Sequence, residues 1–380
     1  MSDSAGRESA EPTSALDSVR NALEGVHDAF DTGRDRLDSV VTTVPGNTAG
    51  IGVLLFVTTL LLLASGIPLA FPPQLFRLLN QLNAFAVYGL VLVGLNMQFG
   101  DTGIVNFGPV LFFGAGAYGT AVFTAVRPTY GMGLGMPLVV GIAAGILFAM
   151  LIGGFIGLST LRLRGDYLAM TTLAAAEIFR AVVRSYSGVF GGNKGISSLP
   201  KPVQGLAVNN NVRFLGLTLF LLSALLIAYE GFRRLSDAPY GRVLRAILSD
   251  EDAARSVGKD TFVYKMQVFV YGAAIAGLGG SLWVLFQGSA SPAMVSIDIT
   301  ILLWLGMMLG GPGNYRGVIG GLAAILLFRL LFSQTKGMIP VSAVRFNALR
   351  PVLFGLLFVL IIRYRPAGIW GESERLEVFK

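Results

Sequence analysis

Long apolar runs separated by short polar loops dominate the chain from residue 50 onward. A helix needs roughly 20 apolar residues to cross the hydrocarbon core of a bilayer. About ten runs can be delimited, at 50–71, 84–99, 104–125, 136–160, 167–186, 212–229, 265–287, 298–310, 317–332 and 347–362. The run at 104–125 is rich in glycine and the run at 298–310 is short, so either could be re-entrant. The pattern predicts an all-α, polytopic transmembrane helical bundle with about eight to ten membrane segments.

The first 49 residues follow a different pattern. Apolar residues recur there at steps of three and four, namely Leu16, Val19, Leu23, Val26, Phe30, Leu37, Val40 and Val44. This spacing places them on one face of a helix. The segment also carries four Arg against nine Asp or Glu, and it lacks the apolar core of a signal peptide. We predict an acidic, amphipathic N-terminal tail over 1–49 that forms a surface helix, a coiled coil or a docking segment for a partner.

Composition narrows the chemistry that the chain can perform. It is 53% hydrophobic and 13% charged, whereas about a quarter of the residues of a soluble domain are charged. There is no cysteine, and the one histidine, His27, lies in the acidic tail. Disulfides, thiolate chemistry and thiolate-held metals are therefore excluded, and no catalytic residue or metal site is predicted.

Lysine and arginine are concentrated on one side of the predicted topology. That side holds the 230–264 loop, three short turns and the C-terminal end: Arg162, Arg164, Arg233, Arg234, Arg242, Arg245, Arg255, Lys259, Arg316, Arg363, Arg365, Arg375 and Lys380. The opposite side has fewer, among them Arg127, Lys194, Lys201, Lys336 and Arg345. Because cytoplasmic loops are enriched in positive residues, we predict a multi-pass protein of the cell membrane with both termini in the cytoplasm.

The stretch SDEDAARSVG, residues 249–258, is a polar insertion between two apolar runs. Ser249 can cap a short helix, three acidic residues complement the positive end of its dipole, and Gly258 can end it. The apolar side chains of this helix are small, so the helix suits insertion into a groove of a partner. The alternative is that it packs only against the other helices of this chain. The residues assigned to this surface are Ser249, Asp250, Glu251, Ala253, Ala254, Val257 and Gly258.

Polar side chains inside apolar runs are candidates for a substrate pathway. Asn96, Gln98 and Asn106 surround a glycine-rich break between the second and third runs, together with Asp101. A broken helix exposes backbone groups, which is tolerated only against protein or a water-filled path. Asp101 best fits a polar turn at the cytoplasmic surface.

Two further charged positions lie in apolar runs. Glu177 lies on the same helical face as Arg180 and Arg184, so this group either neutralises itself or contacts a zwitterionic substrate. Asp298 stands at the start of a short run, where it complements the helix dipole.

The motif EDAARSVG resembles the EAA loop of ATP-binding-cassette importer permeases, which reads Glu-Ala-Ala, three residues, then Gly; one residue is inserted here after the Glu. With its flanks, GRVLRAILSDEDAARSVGKDTFVYKMQVFVYGAAIAGLGGSLW looks like permeases of branched-chain amino-acid uptake systems. Three other stretches are similar to the same family, namely GLNMQFGDTGIVNFGPVLFFGAGAY (94–118), LRLRGDYLAMTTLAAAEIFR (161–180) and SPAMVSIDITILLWLGMMLGGPGNYRG (291–317). The resemblance covers about 80–365. Pro109 and Val318 depart from the residues common in the family, which puts the substrate in question more than the fold.

The resemblance implies a permease domain over 50–365, a coupling loop over 237–260 and a cytoplasmic C-terminal tail over 366–380. It implies two separate ATPase subunits as partners, with the coupling helix seated in a groove of one of them. It also implies that the chain pairs with a second related permease and receives substrate from an external binding protein. Membrane lipid surrounds it, and nucleic acid is not a partner. ATP would be bound by the partner subunits, since GVFGGNKGIS (188–197) has Asn193 where a phosphate loop requires glycine. The chain itself would hold no cofactor and act without enzymatic chemistry.

The substrate expected from the resemblance is a branched-chain amino acid, moved by alternating access. Urea or short amides are the alternative within the same class of transporter. An ion-coupled secondary transporter would need a relay of ionisable residues across the spans, and a membrane enzyme would need a catalytic constellation. The sequence supplies neither.

Overall fold

A computed structural model describes residues 73–334 apart from 127, 164 and 201–209, together with residues 343–364 and 368–369. The predicted amphipathic tail at 1–49 and the apolar run at 50–71 lie outside the described residues. Most of the C-terminal tail at 366–380 also lies outside them.

The described residues form helices joined by short loops, and they contain no β-strand beyond one isolated bridge between Ile196 and Ala290. The helices are α1 (Pro73–Thr102), α2 (Pro109–Thr124), α3 (Leu138–Thr160), α4 (Gly165–Ser185), α5 (Ser187–Phe190), α6 (Asn210–Asp237), α7 (Pro239–Ser249), α8 (Glu251–Ser256), α9 (Thr261–Gln287), α10 (Ile297–Gly310), α11 (Tyr315–Gln334) and α12 (Ala343–Tyr364). The predicted all-α fold class is confirmed.

Six helices in the described part of the chain are long and apolar enough to cross a membrane: α1, α3, α6, α9, α10 with the turn before it, and α11. The predicted runs at 104–125, 167–186 and 347–362 correspond to α2, α4 and α12. With 16 residues, α2 is shorter than a typical span. On α3, Leu151, Phe155 and Leu158 are more than 60% exposed, as expected of a face that contacts lipid. The molecule is a polytopic membrane bundle.

Helix α9 lies at the centre of the bundle and packs against α1, α2 and α3. Small residues line one face of α9 and let the backbones of neighbouring helices approach closely. Such packing is needed because apolar burial does not drive helices to associate in lipid. A Cβ built on Gly116 of α2 would collide with the Gly277 carbonyl and lie 2.5 Å from its Cα. A Cβ on Gly145 of α3 would lie 2.5 Å from the Gly116 carbonyl oxygen. Glycines therefore set the spacing of these three helices.

The connections gather at two ends of the bundle. One end, the loop end, holds the 237–260 loop, where the guanidinium of Arg162 lies 5.3 Å from the ring centre of Phe262. At the other end, Ile196 and Ala290 exchange backbone hydrogen bonds of 2.9 Å. The turns that the sequence assigns to the basic side, as far as the structure describes them, lie at the loop end.

Helices α10 and α11 pack against each other and are joined by a glycine-rich turn at residues 311–314. Gly311 and Gly313 have φ values of 96° and 83°, which side chains with a Cβ adopt rarely. The end of α1 lies directly against this turn, since a Cβ on Gly100 would lie 2.7 Å from Gly313 Cα. This close approach brings three helix ends together beside the 237–260 loop.

Candidate functional site

The coupling loop consists of the helices α7 and α8, which meet at Asp250. The prediction that Ser249 caps the second helix is wrong. Ser249 is the last residue of α7, and its hydroxyl donates to the Arg245 carbonyl oxygen at 3.0 Å. Asp250 has extended backbone angles, and its carboxylate accepts from the Ala253 amide at 2.9 Å. Helix α8 is therefore capped by Asp250 and has six residues.

Gly258 ends α8 as predicted. Its φ is 80°, its amide donates to the Arg255 carbonyl at 3.0 Å, and the Lys259 amide donates to the Ala254 carbonyl at 3.2 Å. This pair of bonds is the Schellman arrangement, in which a left-handed residue lets the chain leave the helix. An added Cβ would meet no neighbouring atom, so glycine is favoured here by its backbone freedom alone.

Glu251 fastens α8 to the first turns of α9. Its carboxylate forms an ion pair with Lys265 of α9 and a second with Arg255, 3.3 Å away. Burial raises the pKa of Glu251, but the hydrogen bond and charge of Lys265, with Thr261 and Arg255, outweigh burial and hold the pKa below its ordinary value. The charged carboxylate is thus the favoured form, and it joins α8 to the central helix.

The apolar side of α8 is divided between two surfaces. Ala254 is 5% exposed and faces the chain itself, so its assignment to an outward docking face is wrong. Ala253 is exposed, and Val257 is 73% exposed. The helix packs on α7 and α9 through its buried side. The surface left for a partner is therefore formed by Ala253, Val257 and the glycine that follows.

A buried carboxyl group joins α7 to the bundle. Asp101, near the end of α1, is fully buried and accepts hydrogen bonds from Ser236 Oγ at 3.0 Å and Tyr315 Oη at 2.9 Å. Arg245 of α7 donates to the Ser236 carbonyl at 3.0 Å and to its hydroxyl at 3.3 Å. We call these four residues the Asp101 network. It links α1, α6, α7 and α11, so the assignment of Asp101 to a surface turn is wrong.

The polar residues at the break between α1 and α2 bind one another and the bundle. Gln98 donates to the Phe269 carbonyl at 3.0 Å and accepts from Asn106 Nδ2 at 2.8 Å. Asn106 in turn accepts from the Gly108 amide at 2.8 Å, and its carbonyl accepts from Trp304 Nε1 at 3.1 Å. These bonds satisfy the backbone and side chains of a buried break, as a low-dielectric interior requires.

Asn96 has one bonded and one unbonded polar atom. Its Oδ1 accepts from the Gly313 amide at 2.9 Å, which ties α1 to the 311–314 turn. Its Nδ2 is buried and has no hydrogen-bond partner among the described residues. Contact of Asn96, Gln98 and Asn106 with a substrate stays a prediction.

Glu177 and Arg180 lie on α4; Glu177 is exposed, whereas Arg180 is partly buried. Their ion pair is 3.4 Å long, and the two side chains are 49% and 23% exposed respectively. The opposite side of α4 is buried, and its residues are Leu168, Thr172, Ala176, Phe179 and Val183. The geometry matches the alternative in which the pair neutralises itself on a helix surface. Asp298 lies in the first turn of α10, as expected of a charge that complements the helix dipole.

Residues 77–362 match a family model described as the permease component of the branched-chain amino acid transport system. The chain belongs to this permease family. The matched span contains the coupling loop, the Asp101 network and the break between α1 and α2.

Individual relatives agree with the family match. The permease is 33% identical to the high-affinity branched-chain amino acid transport permease LivM of Escherichia coli, over 74% of this chain and 67% of that protein. It is 28% identical to a probable LivM of Methanocaldococcus jannaschii, over 76% and 92% of the two chains. LivH of Escherichia coli is 24% identical over 78% and 96%. No solved structure gives a significant match.

Three members of the Asp101 network were not among the candidate site residues of the sequence analysis: Ser236, Arg245 and Tyr315. Ser236 and Tyr315 share Asp101 as a partner that is distant in sequence, and Arg245 joins the network through Ser236. Ser236 and Tyr315 lie 135 and 214 residues from Asp101. The available signal was Asp101 itself, a carboxylate at the end of a long apolar helix, where charges usually have partners.

Proposed function

We propose that this chain is the membrane-spanning subunit of an ATP-driven importer for branched-chain amino acids. It holds no cofactor; ATP binds to two separate ATPase subunits, and a groove of one of them receives α8. A second, related permease completes the translocation path, and an external binding protein delivers the substrate. The observation that carries the proposal is the coupling loop. It exposes Ala253 and Val257, and the Glu251–Lys265 ion pair attaches it to the bundle.

The loop transmits movement through two connections. Helix α8 is joined to α9 by the Glu251–Lys265 ion pair, and α9 packs against α1, α2 and α3. Helix α7 is joined to α1 and α11 through Arg245 and the Asp101 network. When the ATPase pair closes, a push on the loop would rotate both groups of helices together. Rigid-body motion of this kind changes access between the two sides of the membrane.

The proposed orientation places the loop end in the cytoplasm. The described part of that end carries most of the basic residues, including Arg233, Arg234 and Arg242 of the loop. At the other end, Lys194 donates to the Tyr130 hydroxyl at 2.7 Å. The asymmetry favours a cytoplasmic loop end, with both termini on that side.

The coupling proposal is tested by a charge placed on the exposed side of α8. Val257→Arg should abolish co-purification of the ATPase subunits and ATP-dependent uptake, because a long cation would enter the interface. Ala293→Arg is the matched control, since Ala293 is exposed beyond the other end of α9. The amount of permease in the membrane should be the same for both. Equal ATPase recovery with Val257→Arg and Ala293→Arg would show that α8 is an ordinary loop helix.

The substrate is tested with the complete transporter in proteoliposomes. We expect ATP-dependent accumulation of labelled leucine that unlabelled isoleucine and valine suppress and that urea does not. ATP-dependent accumulation of labelled urea or acetamide, with no accumulation of labelled leucine, would assign the transporter to short amides instead.

A further inference from the structure

A pocket of about 380 Å³ opens at the loop end, between the end of α6, the start of α7 and the α10–α11 turn. Its lining includes three arginines, one from each of three helices: Arg233 of α6, Arg245 of α7 and Arg316 of α11. We call it the arginine pocket. Asp237 is the one carboxylate in the lining, so the lining carries a net charge of two positive.

The guanidinium groups of this pocket are incompletely compensated. Asp237 lies 3.7 Å from Arg233 Nε, and Glu230 lies 3.5 Å from Arg233 Nη1. Nevertheless Arg233 Nη1 is buried and makes no hydrogen bond to any residue that the structure describes. A buried guanidinium nitrogen that makes no hydrogen bond is costly even beside a carboxylate, so a bound acceptor with better geometry would stabilise this arrangement.

The other two arginines lie beside neutral oxygens of the lining, Arg245 beside Ser236 and Arg316 beside the Tyr229 hydroxyl. The carboxyl group of Asp101 is outside the lining, and its two oxygens accept hydrogen bonds from Ser236 and Tyr315, which are both in the lining. The positive charge therefore points toward an anion.

We propose that the arginine pocket binds a phosphate group. Guanidinium groups reach it from three helices, and a tetrahedral phosphate offers oxygens in as many directions, whereas a carboxylate offers two oxygens in one plane. The amides of the 311–314 turn add little, because the Gly313 amide is already bonded to Asn96 and the Asn314 amide to Gly311. A phospholipid headgroup and a soluble phosphate compound share this chemistry. Occupation would brace α6, α7 and α11 against one another.

The test uses the full-length permease in a neutral detergent, with two probes added separately: inorganic phosphate, and phosphatidylglycerol with phosphatidylcholine as its uncharged counterpart. Binding is read from the rise in unfolding temperature with probe concentration and from lipid retained in native mass spectrometry. Arg316→Gln is the main variant, because Arg316 is exposed and outside the Asp101 network. Arg245→Gln is the second. Arg242→Gln is the matched control, an exposed arginine of α7 outside the lining.

We expect one of the anionic probes to bind at least tenfold more weakly to Arg316→Gln and Arg245→Gln, with no change for Arg242→Gln. Stabilisation by inorganic phosphate alone assigns the pocket to a soluble phosphate compound. Stabilisation by phosphatidylglycerol but not by inorganic phosphate or phosphatidylcholine assigns it to a lipid headgroup. The unfolding temperature without probe shows that each variant is folded. Stabilisation by neither probe, or equal binding by all three variants, would overturn the proposal, and neither result would bear on leucine uptake.

Discussion

Removal of a single hydroxyl from the Asp101 network should loosen the link between α1 and α11. Tyr315→Phe deletes the group that donates to Asp101 Oδ2 at 2.9 Å in a fully buried site. Hydrogen bonds between neutral groups of membrane helices contribute about 0.6 kcal/mol on average in double-mutant cycles. A charged acceptor roughly doubles the strength, which gives about 1.2 kcal/mol for this bond. The unfolding equilibrium should therefore shift by about eightfold.

The assay is a double-mutant cycle on the refolded permease, titrated with sodium dodecyl sulfate in mixed micelles. Tyr315→Phe, Asp101→Ala and the double variant give a coupling energy that isolates the pair from other losses at each site. Tyr364→Phe is the matched control, because that tyrosine is 73% exposed and its hydroxyl removal should cost nothing measurable. A coupling energy below about 0.3 kcal/mol, half the neutral average, would refute the assignment of Asp101 as a joint between helices.

Three further predictions concern packing, charge and topology. Gly116→Ala should destabilise the bundle by about 1–3 kcal/mol through overpacking, whereas Gly154→Ala, whose Cβ would meet nothing within 4 Å, should be neutral or stabilising; detergent melting curves compare them. The lowered pKa of Glu251 means that its ionised form stabilises the fold near neutral pH, and that this stability is lost as the pH falls below 4.5 and through the folded-state pKa. Hydrogen exchange of α8, corrected for intrinsic rates, should therefore accelerate on acidification, and Glu251→Gln should remove that dependence. In the cysteine-free chain, an impermeant thiol reagent should label Ser187→Cys but not Ser249→Cys in intact cells, and the reverse labelling would invert the topology.

Hydropathy alone predicted the helices that cross the membrane, because the bilayer demands long apolar segments with internally bonded backbones. The predicted run at 136–160 is close to α3 (Leu138–Thr160), and the run at 265–287 lies within α9 (Thr261–Gln287). These properties depend on residues near one another in the chain.

Local sequence did not decide the start of α8. Ser249 and Asp250 are both good helix caps and they are adjacent, so propensity favours neither strongly. The choice depends on how far α7 continues, and α7 includes Ser249, whose hydroxyl bonds back to the Arg245 carbonyl oxygen four residues earlier. The same limit applies to Ala254, because packing of α8 on α7 and α9 determines which side of a short helix is exposed.

The sequence by itself determined the class of molecule, the approximate place of its long apolar helices, and the coupling motif that resembles its family. The tertiary structure decided that Asp101 is a buried joint rather than a surface residue, and that three arginines from separate helices line one pocket. The length of an apolar segment and the spacing of residues on a helix face depend only on residues that are close together in the chain. A hydrogen bond across 214 residues depends on the packing of whole helices, which brings together side chains that have no local reason to be partners.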